Sequence, residues 1–467
     1  MAGLLLSACQ SKTEVDLLIR NATVIDIESG SQLENWFVFI QGDSILEVGD
    51  ESLMDRFQPN TDIDARGKYL MPGLWDNHVH FGGAEYIDEN EQLLPLFLAF
   101  GVTTVRDAAG DISLEVLKWR DEINNGTRIG PKILTSGPKL EGIESIWPGD
   151  LEIGSEEELE SALDSLDKLQ VDFVKITDNT LKPALFLEAV KRATARGYSV
   201  SGHIPAALTI DQVSKAGQKT VEHLSYLLRT GTPLEAEISA RRANGTLSGA
   251  EAAKLQAETY SDSVAFAYFQ QLAKQGTGVV PTLLISYNIA YLDEHDFQND
   301  TILNYLGPKL KESYQWRIQR MEGESMEAKQ ARKANYTKVA SLMPLVQKSG
   351  MKIMAGTDAG YLNSYDFPGL AIHLELQKYV EHGLTPQQAL TASIIHGPEF
   401  FGLEDEFGAV KAGKNASLVL LTDNPLDDIS ATLSIESVIK DGKVYDRPTL
   451  DKMLKEIKKW VAQKEGR

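Results

Sequence analysis

The sequence predicts an α/β protein: a (β/α)8 TIM-type barrel joined to a small β-sandwich domain that the N- and C-terminal segments build together. Three observations predict it. Between about Tyr69 and Gly402, eight short apolar strand cores alternate with helix-like segments, and eight βα units in a row close into a parallel barrel. Short runs of alternating β-branched and aromatic residues precede that region and return after it. No strand core leads into a Gly-rich nucleotide loop, which places the open doubly wound sheet second.

In chain order, residues 1–13 read as the remnant of a lipoprotein-type signal and a linker. Residues 14–70 carry "DLLIRNATVID" and "NWFVFIQGDSILEVG", with Asn21, Gly30 and Gly42-Asp43 as turn signals between antiparallel strands. The barrel is expected over 71–402. Its strand cores are "GLWDNHVHF", "VTTVRDA", "KILTSGP", "VDFVKIT", "YSVSGHI", "KTVEHLS", "GVVPTLL" and "KIMAGTDA". Two long connections, about 231–275 and 285–347, are rich in Ala, Glu, Gln and Lys and read as extra helices. Both follow strands, so they belong to the C-terminal face, where a barrel keeps its active site, either as lids or as padding of the outer wall. Residues 403–467 complete the sheet domain through "GAVKAGKNASLVLLTD" and "IESVIKDGKVYD", with Asp441-Gly442 as a hairpin turn. A last amphipathic helix places Leu450, Met453, Leu454, Ile457, Trp460 and Val461 on one face.

Lys plus Arg number 46 and Asp plus Glu 67, a net charge of −21. So acidic a surface repels phosphate backbones and sets nucleic acid aside as a partner. The single cysteine, Cys9, excludes an internal disulfide. Its setting, Leu6-Ser7-Ala8-Cys9, resembles a bacterial lipobox, although no Lys or Arg precedes it and the apolar run is short. The expectation is a lipid on Cys9 that anchors the chain in the bacterial periplasm or outer membrane. No later stretch approaches ~18 uninterrupted apolar residues, so lipid is the expected membrane contact.

Only eight histidines occur among 467 residues, and two of them, His78 and His80, stand two apart in a strand core. Residues i and i+2 of a strand point to one side. Lys175 lies in the fourth core, His203 in the fifth, His223 in the sixth and Asp358 in the eighth, each near its C-terminal end. In a barrel those ends converge. Buried charges are costly unless paired or bound to metal, so six such residues around one axis point to a metal centre.

That arrangement resembles the amidohydrolase superfamily. The motifs "PGLWDNHVHF", "GVTTVRDAAG", "SGHIPAAL", "VEHLSYL", "AGTDAG", "GLTPQQAL" and "GAVKAGKNASLVLLTDNPLDDI" are similar to its imidazolonepropionase-like branch, which includes Xaa-Pro-type dipeptidases. The resemblance implies two divalent metals, zinc by default, although manganese, iron or cobalt suit such ligands too. His78, His80 and Asp358 would hold one and His203 and His223 the other. Lys175, carbamylated by CO₂, would bridge them, and a hydroxide held between the metals would attack the scissile carbonyl. Asp358 would carry a proton from that nucleophile to the departing amine. Mononuclear deaminases of the superfamily lack the strand-4 lysine and carry a Glu shortly after the strand-5 His. Here Ile204-Pro205-Ala206-Ala207 follow instead. The expected activity is therefore hydrolysis of an amide in a small substrate such as a dipeptide or N-acyl amino acid. Cleavage of a cyclic amide or lactone is the alternative, and a metal-loaded binding lipoprotein the third reading.

For the substrate, Tyr226 and Arg229 in "VEHLSYLLR" are candidate carboxylate binders. The loop "SGPKLEGIESIWPGD" lacks the His that dipeptidases carry there, and Trp147 with Pro148 is read as a pocket wall. Arg106-Asp107 is read as an internal ion pair. His295, His382, His396 and His373 are given structural roles, with a place beside a metal ligand as the alternative for His373. Self-association into a homo-oligomer is left open.

Overall fold

The computed structural model describes residues 12–108 and 110–466. Cys9, the expected lipid site, lies outside the described residues. The N-terminal segment forms β1 (Thr13–Asp26), β2 (Ser31–Gln41), β3 (Ser44–Gly49), β4 (Phe57–Asp64) and β5 (Tyr69–Pro72). The central region supplies β6 (Leu74–His80), β7 (Val102–Asp107), β8 (Lys132–Thr135), β9 (Leu140–Glu141), β10 (Leu151–Glu152), β11 (Val174–Ile176), β12 (Val200–Gly202), β13 (Gln218–Glu222), β14 (Gly278–Val280) and β15 (Ala359–Gly360). The chain ends with β16 (Leu418–Leu421), β17 (Ile435–Lys440), β18 (Lys443–Asp446) and a helix over Arg447–Lys464.

Both chain ends share one sheet, ordered β18-β17-β16-β5-β1-β2-β3, with β4 added beside β1. Strand β1 bends to serve two neighbours. Its first part pairs with β4, and after a register break at Asn21 (φ 59°) Thr23 and Val24 pair with β5. Asn is one of the few side chains that tolerates a left-handed backbone. Alternation then separates two cores: Leu17 and Ile19 pack with Val38 and Ile439, whereas Leu18 packs with Phe37, Phe39 and Phe57. Strand β5 runs through Gly73 into β6, so the sheet domain grips the barrel at its first strand.

The barrel is formed by two parallel arcs, β15-β6-β7-β8 and β10-β9-β11-β12-β13-β14. The Asp172 amide donates to the Thr135 carbonyl at one seam. At the other, Val279 bridges Ile353, and the Asn77 amide donates to the Ala355 carbonyl. The eighth barrel strand thus runs from about 353 to 360, although only Ala359–Gly360 pairs regularly. It lies so close to β6 that a Cβ on Gly356 would stand 2.7 Å from the His78 nitrogen. The seventh strand is shorter than its sequence core. Pro281 has no N–H to pair, Thr282 turns left-handed (φ 47°), and Leu283–Ala290 is helical.

Helices cover the outside and bury the face their spacing predicts, as with Leu159, Leu163 and Leu166 of Glu156–Leu169. The C-terminal helix is capped by Asp446, which accepts from the Thr449 amide at 3.0 Å, and it buries Leu450, Met453, Ile457 and Val461. Leu454 and Trp460 sit half-buried at its edge. Both long connections are helical. Glu235–Ala243, Gly249–Thr259 and Asp262–Gln275 make up the first, and helices from Pro308 to Ser349 dominate the second.

Candidate metal centre

All six expected ligands reach one cavity of about 650 Å³, counting its open mouth. His80 is the last residue of β6, Lys175 lies within β11, and His203 and His223 directly follow β12 and β13. Asp358 directly precedes β15. Two of these positions are aimed by unusual backbone: His223 has φ 69° and Asp358 φ 70°. Positive φ in a residue other than glycine costs on the order of 1–3 kcal/mol and collects at functional sites. The rings of His78 and His80 stack at 5.3 Å and 8°, as a shared strand face requires.

Their inward atoms are close. Nε2 of His78 lies 3.2 Å from Nε2 of His80, and Nε2 of His203 lies 3.2 Å from Nε2 of His223. Oδ1 of Asp358 stands 2.8 Å from His80 Nε2 and 3.2 Å from His78 Nε2. Ligand atoms of His78, His223 and Asp358 fall within 4.8 Å of one another. The outward nitrogens are tied back. Nδ1 of His78 meets Glu222 at 2.5 Å, Nδ1 of His203 meets Asp178 at 3.2 Å, and Nδ1 of His223 meets the Thr282 hydroxyl at 2.8 Å. An ionised carboxylate can only accept, so His78 and His203 donate from Nδ1 and keep a lone pair on Nε2. Facing lone pairs at such distances repel unless a cation lies between them, and the residues present fit divalent metal ions.

Ionisation agrees with that reading. Burial pushes the His80 imidazole down to about 4, against the pull of Asp358, and holds His223 well below the usual range. Both rings are neutral and able to ligate. Burial would raise the Asp358 carboxyl, but His80 and His78 outweigh it and hold it well below the usual range. Burial lowers the Lys175 amine to about 8, with Glu222 pulling the other way.

Beneath the ligands lies a charged pair that the sequence reading missed. Arg106 does not pair with Asp107. Its Nη2 donates to both oxygens of Glu222, at 2.9 and 2.8 Å, and its Nε to the Asn77 carbonyl. Neighbours alternate sides along a strand, so Arg106 points into the barrel while Asp107 accepts from the Thr135 hydroxyl at 2.9 Å. Glu222 also accepts from the Ser201 and Thr220 hydroxyls. Phe173 and Phe400 lie 5.1 Å from the guanidinium on either account.

The substrate candidates divide. Trp147 and Pro148 line the cavity, together with Lys139, Arg317 and Tyr361, which sequence reasoning did not select. Tyr226 and Arg229 are not among the lining residues. Tyr226 stacks on His203 at 5.5 Å and donates to Asp178 at 3.2 Å. Arg229 is buried and donates to the carbonyls of Ile204 and Pro205, the two residues after His203. The 231–275 connection contributes no lining residue, whereas 285–347 contributes Arg317. His373 is not beside a ligand; it bonds the Thr432 hydroxyl and the Phe100 carbonyl. His295, His382 and His396 bond Tyr287, Tyr336 and the Ile353 carbonyl.

The amidohydrolase family model matches residues 69–445. The chain is similar to an ochratoxinase of Aspergillus niger, 25% identical over 94% of this chain and 88% of that protein. Its fold is similar to that of a Xaa-Pro dipeptidase solved with bound methionine in its active site, with a TM-score of 0.67, 21% identity and coverage of 92% and 99%. It is also similar to a bottromycin amidohydrolase, with a TM-score of 0.71, 19% identity and coverage of 95% and 90%. Barrel, imidazole cluster and sequence match agree: the chain belongs to the amidohydrolase family and is a hydrolase acting on carbon–nitrogen bonds.

Proposed function

We propose that this enzyme binds two divalent metal ions and hydrolyses the amide bond of small substrates such as dipeptides or N-acyl amino acids. The observation that carries the reading is the set of four imidazoles gathered around a buried lysine whose amine titrates at about 8. His78, His80 and Asp358 would hold one ion, and His203 and His223 the other. A buried amine near neutrality can add to CO₂ with release of one proton, and a Lys175 carbamate would supply two further oxygens to hold the ions. Bound there, the metals, zinc by default, would lower the pKa of a water between them and polarise the scissile carbonyl. Asp358 would accept the proton of that water at Oδ and return it to the leaving nitrogen. Glu222 and Asp178 hold His78 and His203 in the ligating tautomer.

The names of two relatives, an ochratoxinase and a Xaa-Pro dipeptidase, support an amide substrate of this size. Metal analysis of the purified enzyme with a panel of dipeptides, N-acyl amino acids, cyclic amides and lactones tests the proposal. Two ions per chain and turnover of the open-chain amides are expected. One ion, or cleavage of lactones alone, would overturn it. Export and lipidation at Cys9 belong to the same proposal, and Cys9→Ser is expected to release the protein from the membrane fraction.

A further inference from the structure

We propose that Arg317 is the anchor for a substrate carboxylate, so that the enzyme requires a free carboxylate near the scissile amide. The inference rests on the amide-hydrolase reading above and names its substrate class. Arg317 lies on the short helix Gln315–Arg320 of the 285–347 connection and lines the cavity with the six ligands. Its Nε donates to the Leu362 carbonyl at 3.3 Å and to Asn363 Oδ1 at 3.0 Å, and its Nη2 also donates to Asn363. Asn363 in turn donates to the Asp358 carbonyl. The plane of the guanidinium is therefore fixed against the metal centre.

Its charge is poorly answered by the protein. Among the described residues, Asp358 is the one carboxylate within 4 Å, at 3.9 Å, and that carboxylate already serves His78 and His80. Arg106, by contrast, has Glu222 at 2.8 Å. Lys139, which also lines the cavity, has Asp150 at 3.2 Å. A guanidinium fixed at the cavity wall, 29% exposed and with its neighbouring acid already engaged by His78 and His80, leaves its open edge to an anion from outside, and a carboxylate matches its fork. Beside it Trp147 lines the cavity and packs on Trp316 at 5.7 Å, which gives an apolar side chain on the same substrate a wall. Tyr226 and Arg229 do not line the cavity: Tyr226 is tied to Asp178, and Arg229 lies under the Ile204 and Pro205 carbonyls with Glu235 at 3.7 Å.

The test uses the metal-loaded enzyme with N-acetyl-L-phenylalanine and N-acetylphenethylamine, the same ring and amide without the carboxylate. The wild type is expected to favour the acid at least ~100-fold in kcat/KM. Arg317→Met is expected to shrink that ratio at least ~10-fold, mainly through the KM of the acid, with metal content unchanged. Arg317→Lys should recover part of it as a point charge. No preference in the wild type, equal losses on both substrates, or loss of metal would overturn the assignment. Absence of turnover of either compound would count against the proposed function instead, and calorimetry with N-acetyl-L-phenylalanine then decides Arg317. Binding by the wild type that vanishes in Arg317→Met upholds it, and binding that is absent or unaltered overturns it.

Discussion

His78 and His203 are both backed by a carboxylate at Nδ1, yet the two carboxylates live in different surroundings. Glu222 has no exposed side-chain surface, sits under Arg106 and collects four donor residues. Asp178 is 18% exposed and is shared by His203 and Tyr226. One half of the centre is therefore built into the barrel interior, and the other is assembled at its rim. In the first half the orienting group also carries a buried charge of the fold, so ligand geometry and stability are coupled. In the second the orienting group works near water, and the two are separable.

The sharpest separation comes from replacing each carboxylate by its amide. Glu222→Gln leaves the Arg106 guanidinium buried without its counter-charge, and breaking a buried pair costs about 3–5 kcal/mol. The expected result in denaturant titration is a loss of that size, with fold and metal content declining together. A Glu222→Gln protein of wild-type stability would show that the interior half is no more coupled than the rim. Lys175→Met keeps the volume of a buried chain and removes the amine that lines the cavity with the histidines. Metal content is expected to fall and kcat/KM to drop at least ~100-fold, because several kcal/mol of charge stabilisation are lost. Turnover at the wild-type level would sink the bridging role.

The same division governs what was legible in the sequence. That His78, His80, Lys175, His203, His223 and Asp358 meet in one cavity was readable because strand periodicity and barrel topology fix where strand ends go. Glu222 was hidden by its neighbour. It is adjacent to His223 in the chain but faces inward, and only the left-handed turn at His223 brings that ring back to the mouth. Its signal was a Glu in a buried strand core, which demands a partner, and the matching oddity was Arg106 in another. Arg317 carried no such signal. Its place depends on how a long helical connection folds over the barrel, which periodicity does not encode. Arg229 was read as a carboxylate binder because it closely follows a ligand-bearing strand, whereas the 3-10 helix Leu224–Gly231 turns it under Ile204 and Pro205.

Asp178→Asn tests the rim. An amide can still accept from His203 through its carbonyl oxygen, so the ring keeps its orientation, but the charge that strengthens the imidazole as a ligand is gone. Metal affinity is expected to fall about 10–100-fold, with stability within ~1 kcal/mol of wild type, the reverse of the Glu222 pattern. A competitive chelator titration read beside a denaturant curve measures both.

Tyr226→Phe should give the smallest effect. The ring still stacks on His203, and only the hydroxyl donated to Asp178 is removed. That hydroxyl is one of the bonds that hold the Asp178 carboxyl below its ordinary range, although burial pushes the other way. Without it Asp178 takes up a proton at higher pH, so the acidic limb of metal binding is expected to move upward while affinity at pH 8 changes less than ~10-fold. Tyr226 does not line the cavity, so KM for a carboxylate substrate should hold where Arg317→Met raises it. A Tyr226→Phe enzyme with a large KM defect and an unmoved metal profile would return Tyr226 to the substrate site and erase the distinction between a rim that orients and an arginine that selects.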